Sequence, residues 1–165
     1  SVGANKASNK EEFIKAVDDA LLWDDKILVE AFINAREIEC SVTGFRQISA
    51  YTPGEIVPTH EFYDYEAKYL DPEGAALKIP ADLDEEKIRE VRDIAIKAFK
   101  ALDGCGCSRI DFFLDKDNGK FYLNEINTMP GFTNISMYPK LWEATDLPYS
   151  ELLDKLIMLA LDEIE

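Results

Sequence analysis

Two aromatic-rich segments separated by Asp117-Asn118-Gly119 constrain the fold of this 165-residue chain more than any other feature. The first reads Cys107-Ser108-Arg109-Ile110-Asp111-Phe112-Phe113-Leu114 and the second Lys120-Phe121-Tyr122-Leu123-Asn124-Glu125-Ile126-Asn127. Aromatic and β-branched side chains suit a pleated, half-buried surface, so both limbs read as strands of one hairpin. The turn decides which side chains meet. A two-residue Asn-Gly turn pairs Asp117 with Lys120, sets Asp111 opposite Ile126 and sends Glu125 to the other face. A three-residue loop, with Gly119 in the left-handed region making a bulge, instead pairs Asp111 with Glu125, Arg109 with Asn127 and Ile110 with Ile126. The second register is the expected one. It also sets Phe112 opposite Asn124 and Leu114 opposite Tyr122, leaving a largely apolar reverse face to pack on helices.

In that register Arg109, Asp111, Glu125 and Asn127 share one face, with opposed Cβ atoms roughly 4.5–5.5 Å apart. Two opposed carboxylates repel each other and raise one pKa unless a cation lies between them. A divalent ion resolves the conflict, and an Asp, Glu and Asn oxygen set suits Mg²⁺ or Mn²⁺ better than zinc. The simpler alternative is a solvated sheet face with one Arg–Asp cross-strand pair; four such residues together argue against it.

Bulk composition narrows the partners. Against 33 Asp and Glu stand 18 Lys and Arg, a net charge of −15, so nonspecific attraction to nucleic acid or to an anionic membrane is not expected. A phosphate ligand would need local help from metal ions, Arg, Lys or backbone N–H groups. The cysteines are Cys40, Cys105 and Cys107, an odd number whose spacing suits neither a disulfide framework nor a zinc knuckle. Partly or wholly buried thiols in a reducing cytoplasm are expected. No apolar run reaches the length of a membrane span.

Along the chain, Ser8 and Glu11 form a capping box, and Phe13, Ile14, Val17, Ala20 and Leu21 recur at helical spacing, so a helix is expected over about 9–23. Ile27 to Phe32 reads as a buried strand, and Glu37 to Ser49 as a longer strand interrupted by Gly44. Residues 51–80 read as short strands with a long loop. Asp84 caps a helix whose Ile88, Val91, Ala95, Phe99 and Leu102 form one stripe, with Gly104 placed to end it. Residues 128–133 are too broken for regular structure, Met129 and Met137 read as packing residues, and Ser150 starts a final helix carrying Leu152, Leu153, Leu156, Ile157, Ala160, Leu161 and Ile164. Together these elements predict an α+β fold.

Three segments carry a resemblance: Phe62-Tyr63-Asp64-Tyr65-Glu66-Ala67-Lys68-Tyr69, Arg109-Ile110-Asp111, and Asn124-Glu125-Ile126-Asn127-Thr128-Met129-Pro130-Gly131-Phe132-Thr133. With them the chain closely resembles the D-alanine:D-alanine ligases of the ATP-grasp superfamily. The resemblance implies the C-terminal ATP-grasp lobe, a mainly antiparallel sheet flanked by helices, in residues 37–165, with a lid loop near 58–78. Residues 1–36 would be a truncated piece of the small ATP-binding lobe. The implied activity is ATP-dependent joining of two D-alanines for peptidoglycan, in the cytoplasm, with a homodimer open for the intact enzyme.

By the same resemblance Asp111, Glu125 and Asn127 hold two Mg²⁺ or Mn²⁺ ions on the ATP phosphates. Arg109 faces the charge of the acyl-phosphate and tetrahedral intermediate beside the backbone N–H of Gly131. Lys68 reaches the γ-phosphate and Tyr69 helps place the substrates. Adjacent strand residues point to opposite faces, so Lys68 and Tyr69 serve one site only from a loop folded over it. Glu30, with backbone groups of Ala31 and Ile33, binds adenine, and Glu37 the ribose; a glutamate within an apolar strand needs a partner, which supports Glu30, whereas Glu37 at a strand edge has only the resemblance behind it. Ser136 and the backbone of Met137 hold the carboxylate of the second D-alanine. His60, just before the lid, receives no role.

The chain departs from the family pattern in two places. Its phosphate loop, normally Gly-Ser-Ser-Val-Gly, opens at the second serine with Ser1-Val2-Gly3, leaving Ser1 as its nucleotide contact, and Ala35 stands where many relatives have Gly before the Arg-Glu of the nucleotide strand. The first serine, the domain for the first D-alanine and the upstream lysines lie outside the sequence, so the chain alone is expected to be inactive. Two other readings are a ligase for a D-serine or D-lactate acceptor and a noncatalytic acidic module binding Ca²⁺.

Overall fold

The computed structural model describes residues 3–58 and 75–161. The chain divides into two compact units, one of Ser1–Phe32 with Pro58–Ala75 and one of Ile33–Val57 with Ala76–Glu165. In the first, helix α1 spans Lys10–Ala20. Its cap is Asn9, one residue later than the expected Ser8: Glu12 N–H donates to Asn9 Oδ1 at 2.9 Å, and Ser8 N–H donates to Glu12 Oε2 at 2.7 Å. Asn caps at least as well as Ser, and Glu12 stands three residues beyond it, but the Glu12 carboxylate reaches back to Ser8 N–H rather than to the cap's own N–H, so the box is not reciprocal. The expected strand over 27–32 is not formed. Those residues have no regular structure, and Leu28, Val29 and Phe32 are 85%, 67% and 73% exposed. An apolar run becomes a strand only when a neighbour satisfies its backbone groups, and no described strand pairs with this one.

The second unit is built on an antiparallel sheet, as the α+β expectation required. Its strands are β1 (Ala35–Gly44), β2 (Ile48–Ala50), β3 (Gly54–Pro58), β4 (Ala75–Lys78), β5 (Gly106–Asp115) and β6 (Phe121–Asn127). The order is β4-β3-β1-β5-β6, with β2 also paired to β1. The single strand expected over 37–49 is in fact a hairpin: Gly44 pairs with Ile48, and a φ of 134° at Gly44 turns the chain. A side chain there would run into the Gln47 carbonyl.

Alternation along β1 and β5 divides the sheet into two faces. Ile38, Cys40 and Val42 of β1 join Ile110, Phe112 and Leu114 of β5 in a core covered by Val91, Ala95 and Phe99 of helix α2, which spans Glu85–Ala101. Asp84 caps α2 by accepting from Lys87 N–H at 2.8 Å. The helix ends with Asp103 at φ 49° and with Gly104 N–H donating to Phe99 O at 2.9 Å. The left-handed residue of this cap is therefore Asp103; Gly104 is needed because a Cβ there would lie 2.6 Å from the Phe99 ring.

The opposite face is covered at one end by two further helices. Helix α3 (Met137–Glu143), which no sequence pattern announced, buries Met137, Tyr138, Pro139, Leu141 and Trp142. Helix α4 (Tyr149–Ala160) begins one residue before the expected Ser150 and packs Leu152 with Tyr138 and Trp142. Met137 packs as expected, whereas Met129 is 92% exposed, in a segment with no ladder or helix to bury it.

The hairpin register holds where it matters, but not for the expected reason. Arg109 pairs with Asn127, Ile110 with Ile126 and Asp111 with Glu125; beyond a register shift, Phe112 pairs with Leu123, Phe113 with Tyr122 and Leu114 with Phe121. The loop is one residue longer than predicted. Asp115 N–H donates to Lys120 O at 3.0 Å and Gly119 N–H to Asp115 O at 2.9 Å, enclosing residues 116–119, with Gly119 at φ 67° as expected. Asn124 is then the extra residue that restores the Asp111–Glu125 pairing. The reverse face accordingly receives Phe121 rather than Tyr122, and Phe121 meets Phe112 at 6.1 Å between ring centroids.

Candidate functional site

The sheet face covered at one end by α3 and α4 carries two polar rows that run across three strands, buried at their β1 end, where Ser41 Oγ donates to Tyr138 O of α3 at 3.3 Å, and more open towards β6. One is Glu39–Asp111–Glu125 and the other Ser41–Arg109–Asn127. The structure thus brings together the four residues singled out on the hairpin and adds Glu39 from β1, which sequence reading missed. The signal was available: Ile38, Cys40 and Val42 alternate with Glu39 and Ser41, so an apolar face of β1 implies a polar one. Glu37 is on this polar face too, half-buried on a strand flanked by β3 and β5, and third in β1 rather than at the strand's edge as expected.

Arg109 is the centre of the cluster. Its Nε donates to Asp111 Oδ1 at 2.8 Å and its Nη2 to Asp111 Oδ2 at 2.7 Å, a bidentate fork that fixes the guanidinium plane. Glu39 Oε2 lies 3.1 Å from the same Nε. Burial works against the guanidinium charge. The Asp111 hydrogen bonds and the charges of Glu39, Asp111 and Glu125 outweigh it and raise the Arg109 pKa above its ordinary value. For Asp111, burial pushes the pKa up, Arg109 pulls it down and the neighbouring Glu125 charge pushes it up again; the net direction is upward. A carboxylate in this position is stabilised by added positive charge.

Asn127 shows where such charge fits. Its Nδ2 donates to Asp111 Oδ2 at 3.1 Å and to Glu125 Oε1 at 3.2 Å, bridging the opposed carboxylates. A half-turn of the amide presents Oδ1 at the same place, so Asn127 can either bridge the pair or join it as an oxygen ligand. Among the described residues no three His, Cys, Asp or Glu side chains converge as a ready-made cage. A small set of carboxylate and amide oxygens is what Mg²⁺ takes when substrate phosphates complete its shell. The residues present fit that ion.

The remaining expected site residues fall in three groups. Gly131 and Ser136 close one loop: Thr133 N–H donates to Ser136 Oγ at 3.0 Å, and a Cβ on Gly131 would lie 2.8 Å from that oxygen. Phe132 anchors this loop against Tyr138 at 5.4 Å and Tyr149 at 6.2 Å between centroids. Met137, the first residue of α3, has a buried side chain, so only its backbone is available to a ligand. Glu30 and Ala31 are exposed in the first unit and Ile33 is half-buried in the second; with no strand around Val29, Glu30 is not buried and, contrary to expectation, needs no partner to offset burial. Ser1, Lys68, Tyr69, His60 and most of the expected lid over 58–78 lie outside the described residues.

Residues 1–158 match the family described as D-ala D-ala ligase C-terminus. The chain is 59% identical over its whole length to a D-alanine--D-alanine ligase of Treponema denticola, of which it covers 45%. It is 55% identical over 98% of its length to that of Heliobacterium modesticaldum, covering 44%. Among solved structures it resembles the D-alanine-D-alanine ligase from Coxiella burnetii, with a TM-score of 0.85 and 44% identity over 98% of this chain and 42% of that one. It also resembles the D-Ala:D-Ser ligase from Enterococcus faecalis, with a TM-score of 0.80 and 35% identity over 92% of this chain and 43% of that one. The chain therefore spans a little under half the length of the relatives it matches.

Proposed function

Since the chain belongs to the D-ala D-ala ligase C-terminus family, we propose that it forms the cation- and phosphate-handling part of a cytoplasmic ATP-dependent ligase that joins two D-alanines for peptidoglycan synthesis. The carboxylate of one D-alanine attacks the γ-phosphorus of ATP, forming an acyl-phosphate and releasing ADP. The amine of the second D-alanine then attacks the acyl carbon, and phosphate leaves.

The observation that carries this reading is the convergence of Arg109, Asp111, Glu125 and Asn127 on one face of β5 and β6. Asp111, Glu125 and Asn127 would hold two Mg²⁺ or Mn²⁺ ions, whose contribution is to neutralise the phosphate oxygens that a chain of net charge −15 would otherwise repel. Arg109, held in plane by its fork to Asp111, offers its remaining N–H groups to the transferred phosphoryl group and to the oxyanion that follows. The Gly131 N–H is the second oxyanion donor, and the anchored loop from Gly131 to Ser136 keeps it in place. Ser136 Oγ and the Met137 backbone N–H receive the carboxylate of the second D-alanine.

Nucleotide contacts are assigned to Glu30, Ala31 and Ile33 for adenine, Glu37 for the ribose, and Ser1 and Lys68 for the phosphates. Tyr69 orients the substrates under the lid, where exclusion of water protects a hydrolysable acyl-phosphate.

The test is substitution of Asp111 or Glu125 by Ala in the full-length ligase. ATP-dependent formation of D-alanyl-D-alanine should fall by at least about 10²-fold, the scale of losing a preorganised electrostatic contact; near-normal turnover in both variants would remove the site assignment. Likeness to a D-Ala:D-Ser ligase keeps a second acceptor in view. Competition between D-alanine and D-serine in the same assay decides it.

A further inference from the structure

Glu39 has no part in the proposed chemistry, yet it lies buried on the polar face next to the Arg109–Asp111 pair. It is a charged residue on an interior strand, 4% exposed, and lies beside Asp111 in the ladder. Burying a carboxylate is unfavourable unless a partner compensates it. Arg109 supplies a compensating charge, its Nε 3.1 Å from Glu39 Oε2.

Arg109 is therefore held from two strands, by hydrogen bonds to Asp111 on its own strand and by the charge of Glu39 on the next, whose Oε2 lies close but accepts no hydrogen bond among the described residues. The two grips are not equivalent. Asp111 stands between Glu39 and Glu125 in the row, and under the proposed function its oxygens also serve the cations shared with Glu125. Positive charge at Asp111 competes with the guanidinium for the same lone pairs. Glu39 is two strands from Glu125, about 9–10 Å at ordinary strand spacing, and so lies outside the carboxylate pair that would hold the cations.

We propose that Glu39 is a positioning residue for Arg109: a buried carboxylate on β1 that keeps the guanidinium aimed at the phosphoryl group while Asp111 is engaged by cations. The inference rests on the proposed function, because it needs Asp111 to be a cation ligand.

Glu39→Gln and Glu39→Met in the full-length ligase test it. Gln keeps the shape without the charge, and Met removes the buried charge altogether, a change that packing alone often tolerates or favours. Both should fold, with kcat lowered on the order of 10- to 100-fold, the scale on which a displaced catalytic group is felt. KM for ATP should stay within about twofold, since Glu39 touches no nucleotide in this scheme. In an Arg109→Lys background the further loss from Glu39→Gln should shrink to about twofold or less, because the two residues act as one unit. A thermally stable Glu39→Met variant with wild-type kcat overturns the proposal, as does an undiminished Glu39→Gln effect when Arg109 is replaced. Retained turnover in Asp111→Ala would instead overturn the proposed function, so the two failures are distinct.

Discussion

Phe121 and Glu125 lie four positions apart on one strand and yet face opposite sides of the sheet. Phe121 packs into the core beneath α2, while Glu125 pairs with Asp111 on the polar face. In a regular strand, residues at even separation share a face. Asn124 breaks the alternation, and the bulge it makes lets one short strand serve both the core and the site.

Deleting Asn124 should leave both services in place. Without it Phe121 and Glu125 are three positions apart, so regular alternation alone puts them on opposite faces, and Leu123 and Glu125 stay opposite Phe112 and Asp111. The expected outcome is a urea midpoint close to that of the parent, with Mg²⁺-ATP-dependent turnover retained. Loss of turnover in a stably folded deletion variant would show that the bulge itself, and not only the pairing it permits, is needed by the site.

Two glycines are predicted to fail for different reasons. At Gly119, φ is 67° and the space around a Cβ is open, so Gly119→Ala should cost about 1–2 kcal/mol of backbone strain, and Gly119→Asn should recover part of it. At Gly104 the φ is ordinary but the Phe99 ring is 2.6 Å from a Cβ. There Gly104→Ala should cost about 1–3 kcal/mol through overpacking, and Asn should be worse than Ala. Urea denaturation of the four variants checks the pattern, and an Asn rescue at Gly104 would refute it.

The thiols should react in order of exposure. Cys105 is exposed, burial pushes the half-buried Cys107 above its ordinary range, and burial pushes Cys40 up to about 12. Because the thiolate is the nucleophile, iodoacetamide at about pH 8 should label Cys105 first, Cys107 slowly and Cys40 only after unfolding. Cys40 also predicts a pH dependence. Its folded pKa is above the ordinary 9.0, so its contribution to stability is complete below about pH 9 and is lost as pH rises towards about 12, at up to ~1.4 kcal/mol per pH unit. Denaturant titrations of the wild type and Cys40→Ala should diverge in slope across that window. Early alkylation of native Cys40 would contradict its burial.

Much of this was legible along the chain because it is local. The α2 stripe of Val91, Ala95 and Phe99, the Asp84 cap and the two aromatic limbs are patterns that neighbouring residues complete by themselves. The bulge was half-legible. Phe121 and Glu125 have the same parity, and wanting one in a core and the other in a site already demands an extra residue between them. Helix α3 was not legible, because a segment buried on most sides has no amphipathic period to display.

By itself the sequence determined the elements whose stability comes from their own spacing and caps, and the set of side chains that could meet on the β5–β6 hairpin. Only tertiary structure decided that Ile27–Phe32 forms no strand, because an apolar run needs a paired neighbour. Only tertiary structure placed Glu39 beside Arg109, since β1 and β5 are joined through a ladder between residues some seventy positions apart. Cross-strand hydrogen bonding sets that distance; spacing along one strand does not contain it.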